Sequence, residues 1–135
     1  MKVFVDTNVL VSAFTTRGLS ADLMRLIIAQ HELLIGAVNL AEFRRVLRDR
    51  FRVPPSDIRA LEGQLREHTV VGRPAAPSPL KIRDPDDAWV LASAVVGGAD
   101  ILVTGDKDLV SIARQAPLPI LDPRSCWDRL RGRRP

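Results

Sequence analysis

The chain has 135 residues, of which 46% are hydrophobic and 27% charged, with 20 Lys and Arg against 16 Asp and Glu. That length and balance suit one globular domain with a core of its own and exclude wholesale disorder or a fibrous repeat. The longest stretch without a charged side chain, Ala88 to Ala99, is twelve residues; a spanning helix needs about 20, and Asp6 falls where a signal peptide would carry its apolar run, so a cytoplasmic protein with no membrane partner is expected.

Lys2 to Val5 predicts a short buried strand that stops at Asp6-Thr7-Asn8, capping residues for a following helix. Leu19 to Gln30 has helical spacing through Leu19, Leu23, Leu26 and Ile27. Glu32 to Ile35, bounded by Gly36, predicts a second strand. Ala37 to Phe51 predicts a helix with Leu40, Phe43 and Leu47 along one side. Pro54-Pro55-Ser56-Asp57 opens another helix to about Glu67, and His68 to Val71 is a strand candidate. Gly72 to Arg83 holds Pro74, Pro77 and Pro79 and is a loop, long enough to expect function or mobility. Asp84-Pro85-Asp86-Asp87 starts a very apolar helix through Ala88 to Val96, ended by Gly97-Gly98. Ile101 to Val103 is a strand, Leu109 to Gln115 a helix, Ile120-Leu121 a last strand, and a final helix begins near Pro123. Short apolar strands alternating with helices predict an α/β fold whose parallel sheet is covered on both faces.

The charge is unevenly placed. Arg124 to Pro135 holds five Arg and one Asp, which equals the whole net charge of +4, so a basic C-terminal tail over 124–135 follows a balanced domain over 1–123. Arg44, Arg45, Arg48, Arg50 and Arg52 form a second basic cluster, opposed by Glu42 and Asp49. Asp84, Asp86, Asp87, Asp100, Asp106 and Asp108 form an acidic stretch interrupted only by Lys107. An acidic centre between basic flanks suits a metal site beside a phosphate-binding surface. The single cysteine, Cys126, excludes an intramolecular disulfide and a thiolate zinc site.

Sites on parallel sheets form beyond the carboxyl ends of strands. Asp6 ends the first predicted strand, and Asp106 follows the strand Ile101 to Val103 by two residues. Glu42 lies in the apolar helical row Val38, Glu42, Val46, and Asp87 heads the row Asp87, Leu91, Val95. Each acid also has a structural role open to it. Asp6 and Asp106 can cap helices, Glu42 can pair with Arg45, and Asp84, Asp86 and Asp87 suit a helix first turn. Converging, unneutralised carboxylates repel. A divalent cation relieves that, and oxygen-only ligands suit Mg²⁺ or Mn²⁺. His31 and His68 lie in other parts of the chain and are not expected in the site.

The ordered set Val3-Phe4-Val5-Asp6-Thr7-Asn8-Val9-Leu10, then Glu42, then Asp84-Pro85-Asp86-Asp87, then Val103-Thr104-Gly105-Asp106-Lys107-Asp108-Leu109 resembles the PIN-domain family from Lys2 to about Asp122. Within it, the set looks most like the VapC-like toxins of bacterial toxin–antitoxin pairs. The resemblance implies a three-layer α/β/α sandwich with a central, mostly parallel sheet. It implies a Mg²⁺- or Mn²⁺-dependent endoribonuclease using one or two ions, with Asp6, Glu42, Asp87 and Asp106 as catalytic and metal-binding acids. Asp84 and Asp86 compete with Asp87 for the third place. Asn8, Thr104 and Asp108 match supporting polar positions. A homodimer held by a small antitoxin is the implied assembly.

RNA is the expected substrate, with Arg44, Arg45 and Arg48 as candidate phosphate contacts. Aromatic content is 4% with no Tyr, which predicts recognition through backbone charge and RNA shape rather than a base-stacking platform. Two other readings stay open. One is an aspartate-dependent phosphohydrolase with Asp6 as nucleophile, disfavoured by Asn8 where a second Asp would be wanted. The other is a non-catalytic module that binds RNA or antitoxin.

Overall fold

Parallel strands need crossover connections, and this chain supplies a helix for each. The computed structural model describes residues 1–132; Arg133, Arg134 and Pro135, the end of the expected basic tail, lie outside the described residues. The elements in order are β1 (Lys2–Val5), α1 (Thr7–Thr15), α2 (Leu19–Gln30), β2 (Glu32–Gly36), α3 (Ala37–Asp49), α4 (Pro55–Leu65), β3 (Thr69–Val71), α5 (Pro85–Val96), β4 (Ile101–Val103), α6 (Lys107–Ser111), a 3-10 turn (Ala113–Gln115), β5 (Ile120–Leu121) and α7 (Pro123–Leu130). The five strands form one sheet in the order β3-β2-β1-β4-β5, and every pairing is parallel.

Alternation along the strands builds the layers. Val3, Val5, Leu33, Ile35, Ile101 and Val103 face a core shared with Leu10, Leu23, Phe43, Leu65 and Cys126, from α1, α2, α3, α4 and α7. Phe4, Leu34, Leu102 and Ile120 face a second core with Leu91 and Ala94 of α5 and Leu109 of α6. The result is the three-layer α/β/α sandwich. The chain moves outward from β1 to β3, then crosses back to place β4 on the other side of β1. This reversal opens a crevice at the carboxyl ends of β1 and β4, the place where open α/β sheets bind ligands.

The structure departs from the sequence expectations at several helix ends, among them α4, which stops at Leu65 rather than near Glu67. α3 stops at Asp49, two residues before the expected end at Phe51, and Arg52 takes the left-handed φ of 53°. The helix expected over Leu109–Gln115 starts earlier, at Lys107, because the Asp106 carboxylate accepts from the Asp108 N–H at 2.8 Å and caps it. It breaks at Ile112 before the separate 3-10 turn. The final helix expected from near Pro123 runs to Leu130: Asp122 caps α7 by accepting from the Ser125 N–H, and Cys126 is fully buried against the first core.

The long loop after β3 is fastened down. The Ser78 N–H donates to the Ala88 carbonyl at 2.9 Å, Pro74 is buried, and Leu80 and Ile82 pack on the second core.

Candidate active site

Strand register sets the centre of the site. Val5 lies opposite Val103, so the residues that follow, Asp6 and Thr104, emerge side by side. The Asp6 N–H donates to the Val103 carbonyl at 3.0 Å. Asp6 is only 4% exposed. Its Oδ1 accepts from the Thr7 N–H at 2.8 Å and from Asn39 Nδ2 at 3.0 Å. Its Oδ2 accepts from the Thr104 hydroxyl at 2.7 Å, with Asn8 Nδ2 more distant at 3.5 Å. Capping α1 and occupying the site are therefore compatible roles for one carboxylate.

Asn39 reaches Asp6 because α3 starts directly after Gly36, at the end of β2. A Cβ on Gly36 would lie 2.6 Å from Asn39 Oδ1 and 3.0 Å from the Phe4 ring, so the close approach needs glycine. Sequence reasoning missed Asn39. The available signal was an amide between Val38 and Leu40 in the first turn of an otherwise apolar helix start.

Thr104 and Asn8 tie β4 to α1. The fully buried Thr104 hydroxyl accepts from the Asp106 N–H at 3.0 Å, and Asn8 Oδ1 accepts from the Gly105 N–H at 2.9 Å. Across the crevice, Asp84 caps α5 by accepting from the Asp86 N–H at 3.0 Å, with Pro85 in the first turn. Asp84 and Asp86 are exposed, whereas Asp87 is buried. Asp87 Oδ2 has no hydrogen-bond partner. Asp87, Asp106 and Asp108 can each bring one ligand oxygen to within 4.8 Å of the others. Glu42, one turn beyond Asn39 on α3, is part-exposed and 3.8 Å from Arg45. Asp6, Glu42, Asp87 and Asp106 all line one cleft of about 410 Å³, together with Asn8, Asn39, Asp84 and Asp86.

The cleft holds more negative charge than its surroundings stabilise. Burial pushes the Asp6 carboxyl up to about 6, against the Thr104 and Thr7 donors that favour its charged form; the Glu42 and Asp106 charges raise it further. Burial likewise pushes Asp87 up to about 8, and hydrogen bonding and repulsion from Asp106 add to this, followed by Asp6 and Asp84.

A model described as a PIN domain matches residues 2–108. The chain belongs to the PIN-domain family. VapBC2 from Rickettsia felis, solved bound to a DNA fragment from the promoter, has a similar fold: TM-score 0.63 and 15% identity over 90% of this chain and 98% of that one. A PilT N-terminus domain protein from the archaeon Sulfolobus solfataricus P2 matches with TM-score 0.61 and 14% identity, over 100% of this chain and 98% of that one. No curated protein sequence matches significantly.

The donor set of this PIN domain fits a hard divalent cation. The candidate ligands are carboxylates, two buried oxygens on cleft-lining residues, Asp87 Oδ2 and Asn39 Oδ1, lack a partner, and the charged forms are destabilised as the site stands. The basic residues divide. Arg45 lines the cleft. Arg44 instead clamps Glu62 of α4 through two bonds of 2.8 and 3.3 Å, and Arg48 bonds Asp49 at 2.8 and 3.2 Å; neither lines the cleft. His31 and His68 precede β2 and β3, at the opposite edge of the sheet. A second cation, Arg73 from the loop after β3, lines the cleft with Trp89 of α5, and its guanidinium sits 4.0 Å over the indole ring. The low aromatic content concealed this pair, because composition counts aromatics without placing them.

Proposed function

We propose that this PIN domain is a metal-dependent endoribonuclease and the toxin of a type II toxin–antitoxin pair. The observation that carries the reading is the convergence of Asp6, Glu42, Asp87 and Asp106 on one cleft at the switch point of the sheet. These four acids would hold one or two Mg²⁺ or Mn²⁺ ions. Such ions supply hydroxide near neutral pH and neutralise charge on the phosphoryl and leaving oxygens during phosphodiester hydrolysis. Asp6 is held in one orientation by Thr7, Asn39 and Thr104, with Asn8 bracing the loop that carries Asp106. Asp108 adds a carboxylate at the head of α6. Asp106 would orient the attacking water by accepting a hydrogen bond from it. Arg45 steadies a flanking phosphate, with affinity that weakens as salt rises.

The likeness to VapBC2 supports an antitoxin as partner, and a homodimer is the assembly proposed with it. No helix among the described residues is long and apolar enough to cross a membrane, which suits action in the cytoplasm on RNA. A covalent phosphoaspartate at Asp6 is disfavoured, because Asp6 is buried and both its oxygens already accept hydrogen bonds.

The test is cleavage of a mixed RNA pool with Mn²⁺, Mg²⁺ or EDTA, with Asp6→Asn protein prepared in parallel. Metal-dependent cleavage that disappears in Asp6→Asn is the expected result. Equal cleavage by both proteins would remove Asp6 from the mechanism, and RNA binding without cleavage by either would favour the non-catalytic module.

A further inference from the structure

Trp89 and Arg73 lie on the wall of the acidic cleft and take no part in the chemistry described above. Their stacking distance of 4.0 Å is the shortest of three Arg–aromatic pairs among the described residues; the others, Arg50 on Phe51 and Arg131 on Trp127, measure 5.6 and 5.0 Å. Arg73 forms no ion pair among the described residues, although Asp84 and Asp86 line the same cleft. Arg73 is an exposed residue and Trp89 is half-buried. The loop that carries Arg73 is anchored by buried Pro74 and by the bond from Ser78 to Ala88, so the pair is preorganised.

Electrostatics makes such a pair useful. Six acids line the cleft, against two cations, Arg45 and Arg73. Phosphate contacts alone meet a repulsive field there. Stacking of a base on a planar guanidinium or an indole does not depend on backbone charge and tolerates any base. The guanidinium also keeps its N–H edges free for a phosphate while its face stacks. A cleft of about 410 Å³ is in the size range that accepts a nucleotide-sized ligand.

We propose that the Arg73–Trp89 pair is a nucleobase shelf that seats an unpaired base flanking the scissile phosphate and so directs the cleft to single-stranded RNA. The inference rests on the nuclease reading for its ligand. It replaces recognition by charge and shape alone with recognition of an unstacked base.

The test uses Asp106→Asn/Trp127→Phe protein with Mg²⁺, which leaves Trp89 as the single indole and removes cleavage. The probes are a short unpaired RNA oligonucleotide and the same ribose-phosphate chain made abasic throughout. The intact RNA is expected to change Trp89 emission and to bind roughly five- to a hundredfold more tightly than the abasic chain, the span that stacking of one base covers. Arg73→Ala and Arg73→Lys should both lose most of that difference, because Lys restores the charge without the plane. Equal binding of intact and abasic chains with unchanged emission would overturn the shelf and leave the nuclease reading standing. Absence of binding by either chain would overturn both. The abasic comparison changes the RNA and leaves the protein untouched, so it holds even where a Trp89 variant folds poorly.

Discussion

The Thr104 hydroxyl donates to Asp6 Oδ2 at 2.7 Å and accepts from the Asp106 N–H at 3.0 Å. One buried side chain thus joins the acids that follow β1 and β4, 98 positions apart for the Asp6 contact. Thr104→Val keeps the shape and removes the hydroxyl. Metal-dependent cleavage should fall roughly tenfold to a hundredfold, as for other lost outer-shell partners. Stability should fall by about 1–2 kcal/mol, because a buried acceptor loses its donor. Thr104→Ser should retain both. Cleavage rates and chemical denaturation check this, and an unchanged rate in Thr104→Val would show that Asp6 needs no orienting hydroxyl.

Asp6 and Asp87 hold protons in the folded protein up to about 6 and about 8, against 3.8 for an ordinary Asp side chain. Between pH 4 and 8 the folded state therefore binds more protons than the unfolded state, and stability falls as pH rises through that window. For Asp6 alone the difference corresponds to roughly 3 kcal/mol. Metal-free protein should melt at a lower temperature at pH 8 than at pH 5. Saturating Mn²⁺ favours the charged carboxylates and should reduce or reverse that slope. Thermal melts at three pH values, in EDTA and in Mn²⁺, decide it; metal-free stability that climbs toward pH 8 would contradict the desolvated acidic centre.

Asp87→Asn should separate stability from function. The substitution removes a buried carboxyl whose charged form is opposed by burial and by Asp106, and whose Oδ2 lacks a partner. At pH 8 without metal, the variant should melt several degrees above the parent, since 1 kcal/mol moves the midpoint of a domain this size by about 2–8 °C. Cleavage should drop more than roughly a hundredfold, and Mn²⁺ should no longer raise the melting temperature as mass action requires of a bound ligand. A variant that melts lower than the parent, yet still gains from Mn²⁺, would mean that Asp87 is a structural cap and nothing more.

Arg45 is the member of its basic cluster that the helix turns toward the acids. Arg45→Ala should weaken RNA binding and lower the slope of log affinity against log salt by about one contact's worth, roughly 0.7–0.9. Arg48→Ala should leave the slope unchanged. Arg44→Ala should also leave it unchanged while costing up to about 1 kcal/mol of stability through the loss of Glu62. Equal slopes in all three variants would place the phosphate path elsewhere.

The β strands and most helix bounds were legible in the sequence because their signals are local. Apolar runs of two to five residues, Pro at a helix start and Asp at a cap act over one turn or one pleat. The final helix was also legible, from Asp122 and Pro123. That it docks by burying Cys126 on the first core was not, since five Arg in the same stretch outweigh one thiol in any composition window.

Four of the cleft's acids stood out by sequence position alone, at strand ends or in apolar helical rows. Their meeting was decided by register. The pairing of Val5 with Val103 and the reversal of winding at β1 bring Asp6 and Asp106 to one edge, and nothing within either segment encodes that pairing. Asn39 joined them only because Gly36 lets α3 approach Phe4 and Asp6 closely. Arg44 left the cleft for Glu62, and Arg73 reached Trp89 across a loop. Sequence by itself determined which elements form and which side chains can carry negative charge, because secondary structure and ionisation depend on near neighbours. Tertiary structure alone decided which of those charges share one desolvated cleft, because that depends on contacts between segments far apart in the chain.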